Sequence, residues 1–171
     1  INIEEIKKIL DENKNKYLCY VANDNSNGQV VVSGLMSSIE KFEVELINKK
    51  IKYVRLPVSA PFHCPLMNKA TEEMRNKILN TEFKNPKIKV VSNVTAKPVD
   101  DCDTIKKLLI DQIENPVKWR QSIIEMIKNG VNHFIEIGPG KVLSGLVKRI
   151  DRNVKVNQVN NLEDTKSLLN D

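Results

Sequence analysis

Apolar side chains along this chain follow two rhythms, one of about 3.6 residues and one of about two. The helical rhythm comes first: Ile3, Ile6, Ile9 and Leu10 share a face and predict a helix over residues 2–13. YLCYVA at 17–22 and QVVVS at 29–33 are short apolar runs rich in β-branched residues, which predict two strands. The Asn, Asp, Ser and Gly of residues 23–28 predict the turn between them, and Gly34 closes the second strand. Ser37 and Ser38 precede Ile39, Phe42, Leu46 and Ile47, which predicts a capped helix. Residues 52–56 read as a third strand.

Beyond Pro57 the rhythms alternate. Cys64 or Pro65 opens a helix to about Leu79 carrying Leu66, Met67, Ala70, Met74 and Ile78. Residues 88–91 read as a strand and SNVTAKP as a polar turn. Asp103 or Thr104 is expected to cap a helix through Leu108, Leu109 and Ile113. Asn115-Pro116 then reads as the cap and first position of a helix with Val117, Ile123, Ile124 and Ile127, stopped by Asn129-Gly130. Strands are expected at 133–137 and 154–159, and helices at 142–150 and 164–169.

The sum is an α/β chain. Its first part, in the order α-β-β-α-β, is what remains of a ferredoxin-like β-α-β-β-α-β unit when the first strand is removed. A boundary near Pro57 divides the chain into residues 1–56 and residues 57–171.

Composition narrows the class. With 171 residues, 40% apolar and 29% charged, the chain can bury a core, and no apolar run approaches the ~20 residues of a membrane span. No signal or transit pattern opens it, so any targeting segment is expected to have been removed or not included. Cys19, Cys64 and Cys102 are too few and too widely spaced for a disulfide framework or zinc site, and fit a reducing compartment. The net charge of +5 comes from lysines interspersed with acids, and aromatics are only 5%, which argues against nucleic acid. A mild positive bias fits an acidic partner.

Candidate chemistry concentrates in LPVSAPFHCPLM, residues 56–67. Pro61 and Pro65 stiffen the loop around His63, one of the two histidines, whose ordinary pKa suits a general base. The plainer reading is a loop histidine that caps the following helix. Cys64 beside it invites a Cys–His pair, but sequence neighbours rarely point at each other as that chemistry requires. Gly138-Pro139-Gly140 offers either phosphate-facing N–H groups or a tight turn. It lacks the spacing of the phosphate-binding motifs, and the tight turn is favoured. His133 reads as a core or edge residue and Trp119 as a packing anchor.

LPVSAPFHCPLM, preceded by NSNGQVVVSG and followed by SNVTAKP, NPVKW and EIGPGKVLSGL, resembles malonyl-CoA:acyl carrier protein transacylase, the acyltransferase family of type II fatty acid synthesis. The motifs stand in the family's order over roughly residues 1–150. The resemblance implies a small ferredoxin-like subdomain inserted in an α/β-hydrolase-like core. It implies ping-pong malonyl transfer from malonyl-CoA to the phosphopantetheine thiol of acyl carrier protein through an acyl-serine, with no metal or redox cofactor. His63 matches the base of the Ser–His dyad. Gln112 matches the residue whose main-chain carbonyl orients that base, a role the adjacent Asp111 could be mistaken for. Phe62 stands where related enzymes carry Phe when they select malonyl, although bacterial malonyl enzymes often carry Ser there. A ring would crowd an α-methyl, and a methyl is worth only ~1–3 kcal/mol of discrimination. Lys148 and Arg149 match a basic pair proposed to dock the carrier protein, against the plainer reading of cations at a helix C-terminus.

Departures from the family pattern are as informative. The G-H-S-x-G elbow is absent, and Ser26, Ser33, Ser37, Ser38 and Ser59 sit in no such motif. Arg55, Arg75 and Arg120 match no substrate-carboxylate arginine, and Asn27 stands where the family usually has Pro. The chain is therefore expected to be the C-terminal half of the enzyme, contributing the histidine but not the serine and inactive by itself. Alternatives are a non-catalytic fragment that binds acyl carrier protein and the acyltransferase module of a polyketide synthase. Nucleic acid and membrane are not expected partners. The expected setting is the cytoplasm in a bacterium, or a plastid or other organelle stroma in a eukaryote.

Overall fold

Asn2 starts the first helix, α1 (Ile3–Glu12), in a computed structural model that describes residues 1–170. Asn2 Oδ1 accepts the Glu5 N–H at 2.9 Å and the Glu5 carboxylate accepts the Asn2 N–H at 3.0 Å, a reciprocal cap. Ile6, Ile9 and Leu10 then face Tyr17, Phe42 and Leu46 in a first apolar core. The Tyr17 and Phe42 rings meet tilted, their centroids 5.6 Å apart.

Strands β1 (Cys19–Ser26) and β2 (Gln29–Gly34) pair antiparallel, Cys19 opposite Gly34 and Ser26 opposite Gln29. β1 thus runs through most of the expected turn. Register shifts after Val21 and Asp24 keep its polar end in the ladder, and Asp24 and Ser26 are buried. The actual turn is Asn27-Gly28, with Gly28 at φ +80°, a conformation that disfavours any side chain. Helix α2 (Met36–Asn48) starts one residue before Ser37, with Leu35 at its cap position. Neither serine caps it, and Ser38 Oγ instead accepts the Leu18 N–H at 3.2 Å, tying the helix to β1.

The third strand expected at 52–56 does not form. Strands β1 and β2 make a two-stranded sheet, no neighbour among the described residues supplies a ladder, and Val54 is 84% exposed. The first part therefore shows α-β-β-α.

A 3-10 turn, Pro65–Met67, leads into α3 (Asn68–Asn80). The strand expected at 88–91 shrinks to β3 (Val90–Val91), which pairs with β4 (Pro98–Val99) across the SNVTAKP turn. Asp101 caps α4 (Cys102–Asp111) in place of Asp103 or Thr104, its side chain accepting the Thr104 N–H at 2.8 Å. Asn115 and Pro116 do not open the next helix. Val117 is drawn onto β1 instead, donating to the Ala22 carbonyl (2.8 Å) and accepting from the Asp24 N–H (2.9 Å). That extended stitch delays α5 (Trp119–Lys128) until Trp119.

The last part matches the sequence pattern closely. β5 (His133–Ile137) and β6 (Lys155–Val159) run parallel, joined through α6 (Val142–Ile150), and α7 (Leu162–Asn170) follows. Ile123, Val147 and Val154 are buried here with Trp119, Phe134 and Ile150 packed against them. The inward face of α6 is Ser144, Leu146 and Val147, whereas Val142 and Leu143 are exposed. No helix among the described residues is long and apolar enough to cross a membrane.

Candidate active site

The loop before α3 is rigid for reasons its residues supply. The Phe62 N–H donates to the Ala60 carbonyl (3.0 Å), and the Met67 N–H donates to the Cys64 carbonyl (3.0 Å). Cys64 is 1% exposed, and its thiol donates to the Pro61 carbonyl at 3.0 Å. Burial pushes that thiol above its ordinary range, and its bond to Pro61 makes Cys64 an anchor of the loop. Between these anchors His63 adopts φ +59°, a left-handed conformation uncommon for residues other than glycine.

From that position the half-buried His63 ring turns to the end of α4, where Nδ1 lies 2.9 Å from the Gln112 main-chain oxygen. A carbonyl only accepts, so Nδ1 carries a hydrogen, and in the neutral imidazole Nε2 keeps its lone pair. Gln112 is the C-cap of α4, where carbonyl groups lack a partner within the helix. The same helix end carries partial negative charge, which favours a cation beside it. Asp111 does not take this place: its own carbonyl accepts from Asn115 Nδ2 at 2.7 Å.

An apolar cleft of 460 Å³ adjoins the imidazole, lined by Phe62, Met67, Met74, Ile78, Leu109 and Ile113 with Gln112. Phe62, next to His63, stands 45% exposed. Among the described residues no group of three or more His, Cys, Asp or Glu side chains could ligate a metal ion.

Comparison with known proteins finds the Acyl transferase domain family matching residues 7–165. The chain belongs to that family. It is 38% identical to the malonyl CoA-acyl carrier protein transacylase of Bacillus subtilis over 165 residues, covering 95% of this chain and 52% of the relative. The crystal structure of the malonyl CoA-acyl carrier protein transacylase from Clostridium perfringens superposes with a TM-score of 0.93 at 35% identity, over 99% of this chain and 54% of that one. A type II PKS acyl-carrier protein in complex with its malonyl-transacylase gives a TM-score of 0.92 at 32% identity, over 100% of this chain and 56% of that one. The chain thus spans about half the length of the curated relatives it matches.

Other features of this acyl transferase chain sort differently. At Gly138-Pro139-Gly140 the protein supplies its own anion. The Glu136 carboxylate accepts the Leu143 and Ser144 N–H groups at 3.1 and 2.7 Å, and Asn160 accepts the Gly140 N–H at 2.8 Å. The Ser144 and Leu143 N–H groups favour the ionised Glu136 carboxylate, which lies below the ordinary range. The α6 N-terminus therefore has its charge partner already, and the segment is a tight turn rather than a phosphate cradle.

Lys148 and Arg149 are both exposed on the last turn of α6, but they do different things. Lys148 Nζ donates to the Arg152 and Val154 carbonyls at 3.2 and 2.6 Å, fastening the helix end. Arg149 reaches across to Gln29 Oε1 at 2.6 Å. Arg55 is paired with Glu43 and Arg120 with Asp24. His133 Nε2 meets Asn157 Oδ1 at 2.8 Å on the β5–β6 pair, away from the cleft residues, and Trp119 packs in the second core.

Sequence reasoning passed over Glu136 and Asp24. An acid just ahead of a glycine-rich strand-to-helix turn is a readable signal for the first. For Asp24 the only cue was a charged residue near the end of an apolar run.

Proposed function

We propose that the intact protein transfers a malonyl group from malonyl-CoA to the phosphopantetheine thiol of acyl carrier protein, with His63 as general base. The observation that carries this reading is the contact between His63 Nδ1 and the Gln112 carbonyl at 2.9 Å. With Nδ1 donating to that carbonyl, the neutral ring would present Nε2 to take a proton. A main-chain carbonyl thus takes the orienting role of a triad carboxylate.

A serine outside this chain would give its proton to His63 Nε2 as its oxygen bonds the malonyl carbon. The carbon–sulfur bond to CoA then breaks, and His63 returns the proton to the leaving sulfur. The carrier-protein thiol regenerates the serine by the same steps in reverse. Phe62, beside the base, would narrow the space at the malonyl α-carbon. Residues 1–56 would belong to a ferredoxin-like subdomain and residues 57–171 to the larger α/β core. The setting would be a bacterial cytoplasm or an organelle stroma.

In the intact protein, His63→Ala should lower malonyl transfer by at least ~100-fold while the fold persists, the scale of lost general-base catalysis. Turnover near wild type in a folded His63→Ala protein would refute the assignment.

A further inference from the structure

We propose that Asn93 is a positioning residue for the reaction, acting on His63 through Gln112. This rests on the reading of His63 as the base. The Gln112 carbonyl that meets His63 lies at the end of α4, past the regular helical ladder, and the chain then runs irregularly to Val117. A carbonyl there can swing by rotation of its own peptide unit unless something outside the helix holds the residue.

Asn93 bonds both ends of that irregular stretch. Its side-chain Nδ2 donates to Gln112 Oε1 at 3.4 Å, and its main-chain oxygen accepts the Lys118 N–H at 2.8 Å. One residue therefore spans the connection from position 112 to position 118. Lys118 follows Val117, which is itself fixed to β1.

Asn93 can serve as a clasp because its own turn is stiff. Ser92 donates its N–H to the Lys97 carbonyl (3.1 Å) and accepts the Ala96 N–H on its own carbonyl (2.8 Å). The Val94 N–H donates to Ser92 Oγ at 3.2 Å, and Lys97 Nζ reaches Glu125 at 3.0 Å. Ala96 is 5% exposed, in a left-handed conformation with φ +56°. The β3–β4 hairpin is a fixed support, and Asn93 is the residue on it that bonds the side chain of Gln112, whose main-chain carbonyl faces His63. Small displacements of such a group cost rate, because proton transfer depends steeply on alignment.

The test is a double-mutant cycle in the intact protein, read by steady-state transfer kinetics with thermal melting as the fold control. Asn93→Ala should lower kcat by roughly 3- to 10-fold, the effect of one neutral hydrogen bond, and leave KM for malonyl-CoA unchanged. Gln112→Ala should give a loss of the same size, since it removes the same contact from the side that leaves the hairpin intact. In the Gln112→Ala background, Asn93→Ala should cost nothing further. Equal losses from Asn93→Ala in both backgrounds, a change confined to KM, or no change at all would overturn the proposal. Should Asn93→Ala fail to fold, a wild-type kcat in Gln112→Ala overturns it alone. Retained activity in His63→Ala would remove the parent reading instead, whereas its loss beside additive Asn93 and Gln112 effects removes only the positioning role.

Discussion

Arg120 closes its guanidinium on Asp24, with Nε 3.0 Å from both carboxylate oxygens and a terminal nitrogen 2.8 Å from Oδ2. Asp24 is 2% exposed, whereas Arg120 keeps 28% of its side chain in contact with water. The pair fastens β1 to the start of α5, on the same seam as the Val117 stitch.

The unequal burial predicts unequal costs. Arg120→Ala strands a buried carboxylate and should destabilise the protein by about 3 kcal/mol. Asp24→Ala leaves a guanidinium that can turn toward solvent and should cost clearly less. Denaturant titration of the two variants checks the order, and equal or reversed losses would show that the pair is not set by the buried acid.

Tyr17 predicts a loss of stability in alkali. It is 5% exposed, and its hydroxyl finds no hydrogen-bond partner among the described residues. Burial, with Glu45 and Cys19 adding, pushes that hydroxyl up to about 12 from an ordinary 10.0. Cys19 rises to about 11 from 9.0, chiefly through burial and secondarily through Cys64. Both acids are raised by folding, so the unfolded chain releases its protons first. Stability is therefore constant below the ordinary values and falls as pH climbs through the folded ones. Tyr17→Phe should be neutral or stabilising at about pH 7, because it removes an unpaired buried hydroxyl. It should also abolish roughly 2–3 kcal/mol of the decline between about pH 10 and 12. Urea melts across that range decide it, and an unchanged alkaline decline in Tyr17→Phe would refute it.

Lys148 and Arg149 are expected to part company. Lys148 is spent on two carbonyl groups at the end of α6, so Lys148→Ala should lower stability by about 1 kcal/mol and leave carrier-protein kinetics unchanged. Arg149, whose contact with Gln29 is a surface one, is the better docking candidate. Arg149→Glu should raise the KM for acyl carrier protein and flatten its salt dependence, while transfer from malonyl-CoA to the serine proceeds normally. If both half-reactions of Arg149→Glu fall together, or neither moves, the arginine only closes the helix.

The parts of the fold that were legible in the sequence are those where local pattern and tertiary need agree. β5 and α6 stand where HFIEI and the apolar spacing after Lys141 put them. The misreadings are places where a distant partner outweighed a local signal. Ser38 has the chemistry of a cap but serves Leu18, and Asn115-Pro116 has a helix-opening signature but yields to the ladder between Val117 and β1. The strand expected at 52–56 had apolar residues but no neighbour to bond among the described residues. At the site, the stiffness around His63 followed from Pro61 and Pro65. Contact with Gln112, a distant part of the chain, is invisible to spacing and was expected only from the family resemblance. Asn93 lay in a polar turn that gave no hint of which residue it faces.

The left-handed backbone at His63 also sets robustness against activity. An L-residue there gives up roughly 1–2 kcal/mol relative to a right-handed conformation, and glycine gives up none of it. The position that the proposed chemistry reserves for histidine is thus one that stability alone would assign to glycine or asparagine. A population of this protein screened only for heat resistance should drift to those residues at position 63 and fall silent as it hardens. The histidine persists there only as long as something downstream counts turnovers.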